Sequence, residues 1–166
     1  ELHALGLPPS EQTASVCSGA RCETVVNVLA RLPASGPRAD AAAPALLLLA
    51  HYDSVAAGPG YSDDGLGLAA VLETLRVLTT VSDRRADVIA VFTDGEEAGL
   101  LGAKAFVNEH PWARSLGFVL NGDARGTTGP SLLFETGDDA ALSIDVLRDS
   151  GARPVTGSLF PLVYER

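Results

Sequence analysis

Methionine is missing from all 166 residues of this chain, and lysine occurs once, at Lys104, against eleven arginines. A chain that opens Glu1-Leu2-His3 without an initiator methionine reads as an excised piece of something longer. No apolar run approaches the roughly 18 residues of a membrane-spanning helix. The longest, residues 41–50, is broken by Pro44. Basic clusters are absent too, and a net charge of −9 argues against nucleic acid or anionic membrane surfaces as partners. Only two cysteines are present, Cys17 and Cys22, without CxxC spacing and without a second pair, which excludes a structural zinc site of the usual thiolate kind. A local disulfide and two free thiols both stay open, and a disulfide would imply an oxidising compartment.

What is present describes one soluble globular domain, with 46% apolar residues and enough length to bury a core. Residues 24–32, 45–50, 87–93, 117–120 and 131–135 read as strands. The run ALLLLA at 45–50 is apolar on both faces, which suits a central strand covered on each side. One helical pattern follows Asp63-Asp64, with Leu68, Leu72, Leu75 and Leu78 on one face. A second covers about 98–109 and ends at His110-Pro111, with Gly99 and Gly102 allowing close approach to the sheet. A third covers about 139–150, from an aspartate cap to Gly151. The first nine residues look like the last turn of a helix, and 34–43 like an exposed connection. Strand–helix alternation of this kind predicts an α/β fold, a three-layer α/β/α sandwich with a largely parallel mixed central sheet.

Chemistry gathers where the apolar runs stop. Residues 45–50 lead into His51-Tyr52-Asp53, residues 87–93 into Asp94-Gly95-Glu96-Glu97, and residues 117–120 into Asn121-Gly122-Asp123, while Asp63-Asp64 opens a helix. In an open α/β sheet the carboxyl ends of the strands are where ligands collect. One imidazole among so many carboxylates needs a cation to offset their repulsion. Each piece has a plainer reading: a capped strand end for His51, an N-cap for an aspartate, dipole stabilisation for the glutamates. One of Asp63 and Asp64 suffices for a cap, so the second requires another explanation, and a carboxylate bridging two cations supplies it. Asp53, two residues along an extended backbone, can accept from the second ring nitrogen of His51. His3 and His110 read as structural or solvent-exposed.

The strings HYDSVAAGPGYSDDGLGLAAVLETLRVL, VFTDGEEAGLLGAKAFVNEHPWA and LNGDARGTTGPSLLFETG resemble the co-catalytic di-zinc exopeptidases. That family includes bacterial leucyl aminopeptidases, aminopeptidase Y and the membrane-anchored endoplasmic-reticulum metallopeptidase. The likeness to the last is carried by HPWA, PG-x-SDD and GPSLLFETG, and it covers about residues 25–166. It implies that His51 and Asp123 hold one zinc, that Asp63 bridges both, and that Glu97 holds the second. It further implies that Glu96 is the general base and acid, that Asp53 orients His51, and that the Asp63–Asp64 peptide is cis. The activity implied is aminopeptidase cleavage of peptide substrates through water activated by Glu96 and two zinc ions. The parent would be exported or membrane-associated, with its peptidase domain periplasmic, extracellular or lumenal.

One ligand of the family's set has no counterpart here. Its fifth ligand is a histidine far downstream, and none follows His110 before Arg166. The expectation is a single partial catalytic domain over residues 1–166, with a half-built second zinc site and little or no activity alone. Two other readings use the same fold: a glutaminyl-peptide cyclotransferase with one zinc, and a non-catalytic receptor or scaffold domain of the transferrin-receptor kind. The Asp63-Asp64 pair speaks against the first, and the four filled ligand positions against the second.

Overall fold

The computed structural model describes residues 1–18, 21–124, 132, 133, 136, 137, 140–151 and 155. The chain divides into two compact units, Glu1–Arg125 and Gly126–Arg166. The first opens with a short 3-10 helix, Leu2–Leu5, whose Gly6 cap takes a positive φ of 73°. Five strands follow, β1 (Ser10–Ser18), β2 (Arg21–Leu32), β3 (Ala45–His51), β4 (Val88–Thr93) and β5 (Leu116–Asn121), with helix α1 (Gly65–Thr79) between β3 and β4 and α2 (Leu101–Glu109) after β4.

They form one mixed sheet in the order β1-β2-β4-β3-β5. The pairings of β3 with β4 and with β5 are parallel, and those of β2 with β1 and with β4 are antiparallel. All six residues of β4 are buried, as continuous apolar strands between two covered faces must be. Alternation sends Leu48, Ala50, Val88, Ala90 and Phe92 toward α1, where Val71 and Leu75 meet them. The opposite face gathers Leu47, Ile89 and Val91 with Phe106 of α2. Helices therefore cover both faces, the three layers the alternation predicts.

The α1 seam is broader than the leucine pattern suggests. Gly67, Val71 and Leu75 are its buried residues, while Leu68, Leu72 and Leu78 flank the core. Asp64 caps this helix, its carboxylate accepting from Gly67 N at 2.9 Å.

Two features depart from the sequence reading. A long hairpin, β1–β2, stands where only its second strand was expected. Of the β1 residues whose burial is described, Ala14 alone is buried, and the polar sequence carries no alternating apolar signal. The hairpin closes with Cys17 opposite Cys22, joined as a disulfide. The second departure is at Glu96-Glu97, which lie in a turn ahead of α2 instead of opening it. Gly95, Gly99 and Leu100 have φ of 64°, 112° and 61°, left-handed conformations that a continuous α-helix excludes. Gly102 approaches its neighbours closely as expected, whereas Gly99 serves the turn and has nothing near its missing side chain.

In the second unit, α3 (Ala140–Asp149) ends before Gly151 at φ 72°, and Leu132 bridges Val155 in parallel. Of the strand expected at 131–135, only positions 132 and 133 are described; Asp139, the expected cap of the third helix, lies outside the described residues. Among the described residues, no helix is long and apolar enough to cross a membrane.

Candidate metal centre

His51 is the last residue of β3 and is 3% exposed. Its backbone N–H donates to the Asp64 carboxylate at 3.3 Å, and its Nδ1 lies 3.0 Å from the backbone carbonyl of Asp53. A carbonyl only accepts, so Nδ1 carries a hydrogen and Nε2 is the ring nitrogen turned toward the site.

The Asp53 carboxylate is placed differently from the expected imidazole partner. It stands 3.6 Å from Nδ1, and instead accepts from the backbone N–H of Glu96 at 2.9 Å and of Glu97 at 3.2 Å. Asp53 thus orients the ring through its main chain and holds the next strand's exit through its side chain. The i, i+2 rule brings the residue to the right side of the strand; it does not say which of its oxygens reaches the ring.

Around Nε2 stand three carboxylates: Asp63 Oδ1 at 3.0 Å, Asp123 Oδ1 at 3.9 Å and Glu96 Oε2 at 3.9 Å. The ligand atoms of His51, Asp63 and Asp123 all lie within 4.8 Å of one another. A tetrahedral ion with bonds of about 2.1 Å keeps its ligand atoms roughly 3.4 Å apart. The 3.0 and 3.9 Å separations bracket that value, and one imidazole with carboxylate oxygens is a donor set suited to zinc. The residues present therefore fit the metal. A lone pair facing anions is repulsive unless a proton or a metal ion lies between them. Asp63 and Asp123 side chains are 52% and 44% exposed, which leaves the cluster open to solvent on one side.

Electrostatics report the same crowding. Burial works to lower the His51 pKa, yet its hydrogen bond to Asp53 and the charges of Glu96, Asp64 and Asp53 raise it overall. Burial lifts the Glu96 carboxyl, against His51 and with help from Asp123, Glu97 and Asp53. Asp64, 2% exposed, is pushed up to about 6, chiefly by burial, although Gly67 N–H and His51 oppose the shift. The Asp63–Asp64 peptide is cis. Glu97 is exposed; its charge is felt at Glu96, but it is not in the group that converges on His51 Nε2.

Beside the site, Asp64 has a second task in addition to the helix cap, and Tyr52 carries no expected role. Asp64 both caps α1 and receives the His51 N–H, so the aspartate pair divides its work between helix and cluster. Tyr52 donates from its hydroxyl to the Val26 carbonyl, tying this strand exit to β2. Its pKa is pushed up to about 12 by burial and by the nearby Asp94. The tyrosine's place between His51 and Asp53 was the available signal.

Residues 27–165 match Peptidase family M28. The chain belongs to this family. Among relatives of this M28 chain, a vacuolar membrane protease of Candida dubliniensis is 46% identical over 112 residues, 68% of this chain and 12% of that protein. The human endoplasmic reticulum metallopeptidase 1 is 39% identical over 144 residues, 86% of this chain and 16% of that protein. The chain thus spans a small part of the length of its curated relatives. Among solved structures, a glutaminyl cyclase of Porphyromonas gingivalis superposes with a TM-score of 0.64 at 24% identity, covering 81% of this chain and 51% of that one. A zinc aminopeptidase of Bacillus subtilis gives 0.63 at 24% identity, covering 81% of this chain and 34% of that one. These two establish the M28 chain's fold as one shared by both kinds of enzyme.

Proposed function

We propose that this M28 chain is the metal-holding part of a zinc-dependent exopeptidase that removes residues from peptide N-termini. The observation that carries the reading is the convergence of His51 Nε2, its ring oriented by the Asp53 carbonyl, with the Asp63 and Asp123 carboxylates. His51, Asp63 and Asp123 would hold one zinc ion, and Asp63 with Glu97 would contribute to a second in the full-length protein. Zinc held there supplies Lewis-acid polarisation of a carbonyl and makes water a stronger acid.

The residues around it divide the remaining work. Glu96 Oε2, on a carboxyl whose pKa is raised, is suited to take a proton from attacking water and return it to the leaving amine. Asp53 holds the main chain of Glu96 and Glu97, so that this carboxylate faces the cluster. The surplus negative charge near Glu96 and Asp123 suits the α-ammonium of an N-terminal substrate residue. The relatives' names and the Cys17–Cys22 disulfide support a membrane-associated protein whose peptidase domain faces an oxidising lumen or the exterior.

The test is hydrolysis of aminoacyl-anilides by the full-length protein, before and after chelation and with zinc restored. The reading expects turnover that chelation abolishes and zinc recovers. Cyclisation of N-terminal glutaminyl peptides in place of hydrolysis would support the cyclotransferase reading, and metal binding with neither reaction the scaffold reading.

A further inference from the structure

We infer that Asn27 is a positioning residue for Glu96, its side-chain amide fastening the end of β4 so that the following turn delivers Glu96 to the cluster. The inference rests on the reading of Glu96 as the proton carrier.

Asn27 interrupts an apolar row. Val25, Asn27 and Leu29 point to the α2 face of β2, and Asn27 is fully buried. A buried amide without partners is costly, and here both ends of the amide are bonded. Nδ2 donates to the Gly102 carbonyl at 2.8 Å and to Gln12 Oε1 at 3.0 Å, and Oδ1 accepts from Asp94 N at 3.1 Å. Gln12 passes the connection on, donating to the Ala105 carbonyl of α2.

The location explains why an amide is used. The β2–β4 ladder ends where Val28 faces Phe92. Within two residues of it, backbone pairing gives way to a reciprocal exchange: Asp94 N–H donates to the Asn27 side chain, and Val26 N–H donates to the Asp94 carboxylate at 2.9 Å. The Asp94 carbonyl accepts from Gly102 N at 2.8 Å, closing the turn onto α2. A Cβ at Gly102 would collide with Asn27 Oδ1 and with Asp94 main-chain atoms, so the three groups are packed without slack. Only a group that donates and accepts together can fasten the Asp94 N–H and the Gly102 carbonyl at once.

The turn is thereby held from two strands. Asn27 fastens Asp94 from β2, and Asp53 receives the Glu96 and Glu97 N–H groups from the β3 side. Without the Asn27 bond the Asp94 N–H loses its partner; the Val26 and Gly102 bonds to Asp94 remain, but the segment can shift about Gly95, whose φ is 64°. A displacement of about 1 Å in a proton-transfer group is enough to cost turnover without touching substrate binding.

The test compares Asn27→Leu with Leu29→Ala in the full-length protein. Leu29 is a buried neighbour on the same strand face whose truncation lowers the thermal midpoint without touching the turn. Asn27→Leu should speed amide exchange across residues 94–97 by about tenfold or more, and lower kcat by about tenfold or more with KM within about twofold. Leu29→Ala should leave exchange in that segment and the kcat-to-KM pattern within about twofold of the parent. Should Asn27→Leu not fold, Gln12→Leu carries the same comparison with a smaller effect, since it removes one acceptor of the Asn27 amide. Parent-like exchange at 94–97 in the variants, or an equal rise in Leu29→Ala, overturns the inference. If the unmutated protein hydrolyses no peptide, the proposed function falls, and the exchange comparison alone decides the role of Asn27.

Discussion

The two central strands reach the cluster through connections anchored in opposite ways. After β3 the chain runs from His51 to Asp63 before α1 begins, and the ligand it delivers is half exposed. That connection is anchored by its own end: buried Asp64 caps α1 and accepts the His51 N–H. After β4 the chain turns at once, and the fixed points are borrowed, Asp53 from the first connection and Asn27 from β2. On the proposed function, the first connection places His51 and Asp63, which would hold metal, and the second places Glu96, which would carry the proton. Metal binding and proton transfer are thus separable by mutation, although the groups meet within a few ångströms.

The largest effect should come from Glu96→Gln, which keeps the shape of the second connection and removes its proton acceptor. Turnover should fall by about 10²–10⁴ in steady-state assays, with zinc content measured by elemental analysis unchanged. A parallel loss of zinc would break the separation. Asp53→Ala comes next. It deletes the carboxylate that holds Glu96 and Glu97 while leaving the carbonyl that orients His51, so turnover should drop about 10- to 100-fold. Zinc affinity at the His51 cluster should move far less; a competition titration reads both arms.

Asp64→Ala probes the first connection's own anchor. Loss of the α1 cap should cost about 1–2 kcal/mol in urea unfolding. The smallest effect lies away from both connections. Asp87 accepts from Ala34 N and from Arg31, which together outweigh its burial and hold its pKa below the ordinary carboxylate value. A depressed folded-state pKa contributes stability that is present above the unfolded value and lost as pH falls through the folded one. Asp87→Asn should therefore flatten the thermal midpoint's dependence on pH below about 4, by no more than about 1 kcal/mol because Arg31 is partly exposed.

How much of this was legible in the sequence follows from which signals are local. ALLLLA and VIAVFT announce strands covered on both faces, and the residues after them announce a site, because burial and ligand chemistry are written in residue type. The cap at Asp64 was legible for the same reason. The first strand of the hairpin was not: it is mostly polar and exposed, and pairing with β2 forms it without an apolar pattern. Nor was the turn at 94–100, where adjacent glutamates imitate a helix start and the positive φ of Leu100 gives no sign in its residue type. The Asp53 carboxylate that receives the Glu96 and Glu97 N–H groups, and the amide of Asn27, depend on contacts between segments distant in sequence.

Everything above turns on whether His51, Asp63 and Asp123 form a zinc site on this chain. Calorimetric titration of the metal-free chain with zinc tests it directly, beside His51→Ala and Asp63→Ala. The account predicts saturable zinc binding by the unmutated chain, weakened by about 100-fold or more in each variant. Equal binding by all three chains, or none by the unmutated one, would contradict it.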